Sequence, residues 1–323
     1  MVSPGRRRRG GGRVAGLSGV SLAILVVALL SPASSCTWTG SGTEVPSPVV
    51  GPRTGSLLLA GGGELGPEIW ERFIHMAGGP GAHIVVIPTA GAQDRVDDDW
   101  RVLESLRRAG AGELSIVHTR DPDEADTDAF VKPLQDADGV WIPGGRQHRL
   151  VDAYLETRTH EALEELLRRG GVVGGTSAGA SIQASYLVRG DPETNQTVMA
   201  EGYEEGFGFL SRAAVDQHLH ARNRERDLWA VTSTHPDHLG IGIDEGTAVA
   251  VRGDRMEVVG RGKVLIYTYS VHPRPPQKLE AGGRYDLGYR QVLPSAPSPR
   301  RTDDIDASRE EASSFTGAAH QGS

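Results

Sequence analysis

The chain has 323 residues, a formal net charge of −8 and a single cysteine, Cys36. One cysteine excludes an intramolecular disulfide and a cysteine-held metal cluster. The acidic balance argues against a nucleic-acid partner, because neutralising phosphates takes Lys and Arg clustered on one face.

The first 35 residues read as a signal peptide. "RRRRGGGR" supplies a basic region, "VAGLSGVSLAILVVALL" an apolar stretch of seventeen residues, and "SPASSC" a small-residue exit, which is the order such segments follow. A spanning helix needs about 20 apolar residues, and this stretch carries Gly16, Ser18, Gly19 and Ser21. Membrane contact is therefore expected only through the signal or a lipid. "Ala33-Ser34-Ser35-Cys36" resembles a bacterial lipobox without its usual leucine; lipidation of Cys36 and ordinary signal cleavage both stay open. The expected location is exported, periplasmic or at the cell surface, with a lipid anchor as one form of it.

Residues 36–54 are rich in Gly, Pro, Ser and Thr and are expected to form a disordered tether; the polar stretch 295–323 is expected to be a disordered tail. The folded domain should span 55–294. Within it apolar runs alternate with amphipathic stretches: "SLLLAGG", then "ELGPEIWERFIHMAGG", "HIVVIPTA", "DRVDDDWRVLESLRRAG" and "LSIVHT". "GVWIPGG", "HRLVDAYLETRTHEALEELLRRG" and "GVVGGTS" continue the pattern. Continuous Val, Ile and Leu runs suit parallel strands covered on both faces, with the amphipathic stretches as crossover helices. The expected fold is α/β: an open, mostly parallel sheet with helices on both faces. No second core is expected. Trp70, Phe73 and Ile74 fall on one helix face and read as core, whereas Asp97–Asp99 reads as a solvated helix start. Beyond Ser177 come "AAVDQHL", "LGIGID" and "GTAVAVRGDRMEVVGRGKVLIYTY", the last a C-terminal β meander with "RGDR" and "GRGK" as its turns.

The chemistry concentrates in "VVGGTSAGAS". A serine boxed by small residues between a strand and a helix is thrust out at the carboxyl end of the sheet, where open α/β folds bind ligands. Ser177 is thus a candidate nucleophile, with the N–H of Ala178 aimed at the anion formed when it attacks a carbonyl. A bland alternative is a tight glycine-rich turn. A serine needs a base and an orienting acid. Downstream stand His218, His220, His235, His238, His272 and His320; His218 closes one predicted strand and Glu245 follows another, so Ser177, His218 and Glu245 form a candidate triad.

"GGTSAGAS", "VDQHLHARNRERDL", "LGIGIDEGTAVAV" and "WIPGGRQ" together resemble the cyanophycinases, within the serine peptidase group that includes the aspartyl dipeptidases. The resemblance covers residues 55 to about 270 and implies a flavodoxin-like, class I glutamine amidotransferase-like fold. It implies Ser177 as nucleophile, His218 as base and Glu245 as acid, with Gly144 or Gly145 joining Ala178 in the oxyanion hole. Gln147, Asp216, Gln217, Arg222 and Arg224 would line the substrate site. The implied partner is a cyanophycin-like peptide or polymer; no cofactor and no metal are implied, and a homodimer is left open. Two positions depart from the family pattern: Arg146 stands in "GGRQ" where the family writes an acid, and Asp227 stands where an arginine is expected. Both bear on substrate choice.

Three rival readings differ in class. An α/β-hydrolase esterase shares the G-x-S-x-G turn, but there the acid precedes the histidine and an "HGG" motif lies upstream, which this chain lacks. "HLH" at 218–220 and "HPDH" at 235–238 contain metal-ligand residues without the His-Glu-x-x-His spacing of a helical zinc site. A non-catalytic exported binding protein could use the same fold.

Overall fold

The computed structural model describes residues 50–93, 100–272 and 274–294. The expected signal segment, Cys36, the tether through residue 49, Asp97–Asp99 and the tail from 295 lie outside the described residues. Residues 50–54, assigned by composition to the tether, are instead fixed against the domain. Val50 is 3% exposed, and the N–H groups of Val50 and Gly51 donate to Asp254 Oδ1 at 2.9 and 3.1 Å. The Val50 carbonyl also accepts from the Ser211 N–H at 2.7 Å, and Thr54 Oγ1 donates to the Arg168 carbonyl at 3.1 Å, so a segment of linker composition is tied down along its length.

The first half alternates strands and helices: β1 (Ser56–Ala60), α1 (Pro67–Met76), β2 (His83–Val86), α2 (Arg101–Arg108), β3 (Glu113–Ile116), α3 (Pro122–Ala125), α4 (Asp128–Gln135), β4 (Gly139–Ile142), α5 (Gln147–Tyr154), α6 (Arg158–Arg168), β5 (Val172–Thr176) and α7 (Ala178–Ser181). Its strands pair in parallel in the order β1-β5-β4-β2-β3. Successive residues of β1 enter different cores, as the two-residue period of a strand requires. Leu57 and Leu59 pack into the larger cluster with α4 to α6, while Leu58 and Ala60 face α1 and α2. Phe73 and Ile74 are buried on that second side, and half-buried Trp70 meets Trp141 at a ring separation of 4.6 Å.

The second half builds β6 (Ala184–Tyr186), β7 (Leu210–Gln217), α8 (Leu228–Thr234), β8 (Leu239–Ile243), β9 (Thr247–Arg252), β10 (Arg255–Gly260), β11 (Val264–Thr268), β12 (Gln277–Leu279), β13 (Arg284–Asp286) and β14 (Gln291–Leu293). The expected single meander is divided here. β9 and β10 form a hairpin that extends the first sheet antiparallel from β1, to nine strands with β13 and β14. β11 instead joins β8 in a second, five-stranded sheet of order β12-β11-β8-β7-β6. The segment after β10 folds back over the β8–β9 junction. Arg261 N–H donates to the Gly246 carbonyl, Gly262 N–H to Thr247 Oγ1 at 2.8 Å, and Lys263 N–H to Asp244 Oδ2 at 3.1 Å. These bonds carry the chain to the edge of β8. The second sheet shares the large core with the first, and its far face packs Tyr186, Ala214 and Tyr267 against α8.

Candidate active site

Ser177 closes β5 with φ 55° and ψ −114°, a conformation costly for a residue with a side chain. Hydrogen bonds hold it there. Its N–H donates to the Ala60 carbonyl at 2.9 Å, and its own carbonyl accepts from Ala180 and Ser181 at 3.0 and 3.1 Å. The small neighbours are a steric demand: a Cβ on Gly179 would lie 1.8 Å from the Ile142 carbonyl oxygen, and one on Gly175 2.4 Å from the Gly179 oxygen. The turn therefore presses α7 against β4, leaving the hydroxyl half-buried at the strand end.

β7 brings His218 to the same place. Its Nε2 lies 2.9 Å from Ser177 Oγ, and its Nδ1 lies 2.5 Å from Glu245 Oε1. His218 also has a positive φ, 54°, and its N–H donates to the Gly61 carbonyl at 2.8 Å. Burial holds the imidazole below its usual pKa of 6.5; the Glu245 hydrogen bond opposes this, and the charge of Arg222 adds to it. At neutral pH the ring is therefore set to accept a proton from the serine rather than to carry one.

Gly61-Gly62-Gly63, directly after β1, forms the floor under both partners. A Cβ on Gly62 would stand 2.2 Å from His218 Cε1, and one on Gly63 would stand 2.8 Å from Glu245 Oε2. In the sequence the start of this run reads as the end of a strand; three glycines following a buried strand are the one local signal of its place under the site. On the other side, a Cβ on Gly144 would lie 3.1 Å from Ser177 Cβ and 3.6 Å from its Oγ, while Gly145, at φ 156°, approaches the Ala90 carbonyl. Ala178 opens α7, so its N–H has no acceptor within that helix. The arrangement offers a hydroxyl, a base, an acid holding the base, and backbone close beside the hydroxyl on two sides.

The remaining expected residues fall into different settings. Gln147 is 2% exposed and donates to the Val188 carbonyl at 3.3 Å. Arg224 is 3% exposed, and its Nη1 donates to Gln217 Oε1 at 2.7 Å and to the Gln217 carbonyl at 3.0 Å; burial lowers its pKa to about 10. Asp216 is fully buried and accepts both arms of Arg189 at 3.0 Å. Arg222 is exposed. Arg146 turns to the loop beyond β6, donating to the carbonyls of Asp191 and Pro192 at 2.8 and 3.1 Å.

Arg189 was not found from sequence, since nothing local marks it. It is 2% exposed with φ 60°, and besides Asp216 it pairs with Asp227 and donates to the carbonyls of Asn195 and Gln196. Burial alone would lower its pKa, but the two carboxylates more than reverse that and raise it. The departure at Asp227 thus supplies a counter-charge to a buried arginine. His220 pairs with Glu225, and His235 and His238 pack around Tyr186; among the described residues no group of three His, Cys, Asp or Glu could hold a metal.

The sequence model of peptidase family S51 matches residues 57–259. A cyanophycinase of Geminocystis herdmanii is 34% identical over 218 residues, covering 65% of this chain and 79% of its own. One from Nostoc is 31% identical over 264 residues, covering 74% and 88%. Among solved structures, a peptidase from an acI-B1 Actinobacterium superposes with a TM-score of 0.57 at 27% identity, over 72% of this chain and 97% of its own.

Proposed function

Since the chain belongs to peptidase family S51 and is a serine-type peptidase, we propose that it hydrolyses cyanophycin-like or other β-aspartyl peptide bonds through Ser177, His218 and Glu245. The observation that carries this is the continuous relay from Ser177 Oγ to His218 Nε2 at 2.9 Å and from His218 Nδ1 to Glu245 at 2.5 Å. His218 takes the serine proton as Oγ attacks the carbonyl carbon. Glu245 orients the ring and stabilises the imidazolium. The N–H of Ala178 and that of Gly144 or Gly145 receive the oxyanion. His218 then returns the proton to the leaving amine, and a water attacks the acyl-enzyme by the same route.

Relatives named cyanophycinases support the substrate class. Exposed Arg222 offers a cation for a substrate carboxylate, while Asp216, Gln217 and Arg224 are buried and bonded to one another and Gln147 is bonded to the Val188 carbonyl. An aspartyl dipeptidase-type exopeptidase is the second reading, supported by a peptidase E of Streptomyces coelicolor, 26% identical over 65% of this chain, and by the altered charges at Arg146 and Asp227. Cyanophycin and α-linked amino-terminal Asp dipeptides, offered in parallel, decide between them. Cleavage of the dipeptides alone selects the second reading, and cleavage of neither overturns both.

Export through residues 1–35, with Cys36 as the lipidated residue, completes the proposal. Mass spectrometry of the mature amino terminus tests it: a chain still starting at Met1 in a soluble fraction refutes export, and an unmodified Cys36 refutes the lipid.

A further inference from the structure

At the opposite end of the nine-stranded sheet from Ser177, a cavity of ≈ 360 Å³ opens between the last turn of α1 and the β9–β10 hairpin. Gly170, just before β5, lies at this cavity, and Ser177 lies just after β5. The five strand residues between them span roughly 16 Å, so the two places are separate. The wall is cationic in a chain that is acidic overall: Arg72, Arg252, Arg255, Arg284 and His75 line it with one carboxylate, Glu257.

That carboxylate is taken, since Arg72 Nη2 meets Glu257 Oε2 at 2.6 Å. Arg72 Nε is buried at the same place and makes no hydrogen bond among the described residues. Arg252 and Arg255 are cross-strand partners in the β9–β10 register, and like charges directly opposite one another destabilise a sheet. Neither side chain meets a carboxylate among the described residues. Asp286, in register with Arg255 on the other side, has its Oδ1 occupied by the Tyr289 N–H at 2.8 Å. The dipole at the end of α1 favours a cation only in the last turn, where His75 stands, and it gives no account of the opposed pair on the sheet.

We propose that this cavity binds a compact oxyanion with at least two negative charges, a phosphorylated or polycarboxylate small molecule. The planar guanidinium fork matches the oxygens of either group, and a bound dianion would turn the Arg252–Arg255 repulsion into attraction. The proposal is independent of the catalytic reading.

The test is calorimetric titration of the full chain with pyrophosphate and, separately, citrate, at constant ionic strength with sodium chloride as the control. One-to-one binding is expected, weakened about tenfold or more by Arg252→Gln with Arg255→Gln, while the paired Arg252→Lys and Arg255→Lys variant keeps measurable affinity. Preference for pyrophosphate identifies the phosphorylated ligand, and preference for citrate the polycarboxylate. No binding above the chloride control, or equal affinity in wild type and the glutamine pair, overturns the proposal.

Discussion

Asp216 and His218 stand two residues apart at the end of β7, and their surroundings treat charge in opposite ways. Asp216 is saturated: two arms of Arg189, the nearby Arg224 and its neighbour's N–H surround a carboxylate with no exposure. His218 has a partner on each ring nitrogen, but not a set of fixed charges. It has one acid partner, Glu245, whose side chain is 40% exposed, and a hydroxyl it can relieve of a proton. The difference teaches where reactivity comes from. A carboxylate enclosed by arginines anchors the strand end, whereas an imidazole between a hydroxyl and a part-exposed acid is, on the proposed mechanism, placed to pass a proton.

Removing the hydroxyl tests the second cluster with the largest expected effect. Ser177→Ala should lower kcat by about 10⁴-fold or more, with the urea unfolding midpoint unchanged; turnover near the wild-type level would end the serine reading. Arg189→Met tests the first. It leaves Asp216 buried with its main counter-charge gone, which should cost about 3–5 kcal/mol of stability, read from the same urea curves. A loss below 1 kcal/mol would mean that Arg224 compensates.

Gly62→Ala probes the boundary between the clusters. The added Cβ would meet the His218 ring at 2.2 Å, at φ +109°, and a shift of about 1 Å in the base should lower kcat about a hundredfold; a normal kcat would show that the ring moves without penalty. The smallest effect belongs to Arg222→Gln. The depressed pKa of His218 comes first from burial and then, among opposing influences, from Arg222. Removing that cation raises the pKa, so the acid limb of kcat/KM should move to higher pH by less than about one unit. Movement to lower pH would contradict the assigned sign.

What could be read from sequence was local. The Ser177 turn declares itself within five residues because its sterics are short-range, and the β1-to-β5 alternation follows from apolar runs covered on both faces. The places of His218 and Glu245 at the ends of predicted strands joined them to Ser177 as a candidate triad before any distance was known. Arg189 was illegible because its partners stand 27 and 38 residues away and a lone arginine after "SYLV" carries no pattern. The two glycine-containing turns "RGDR" and "GRGK" look alike, yet one closes a hairpin and the other crosses between sheets. What separates them is the bonding of Arg261 to Lys263 with the β8–β9 junction, a contact between segments that sequence does not align. Val50 hid in the same way inside a stretch of linker composition.

The division of the chain into two sheets has a consequence during biosynthesis. Ser177 leaves the ribosome on β5, but β1 receives its antiparallel neighbour β9 only when residues 247–252 have followed, and His218 and Glu245 arrive at the ends of β7 and β8 in the interval. A chain that ends before residue 218 therefore holds the hydroxyl of the proposed relay without its base. On the proposed relay, the late half of the chain completes a site that the early half only begins.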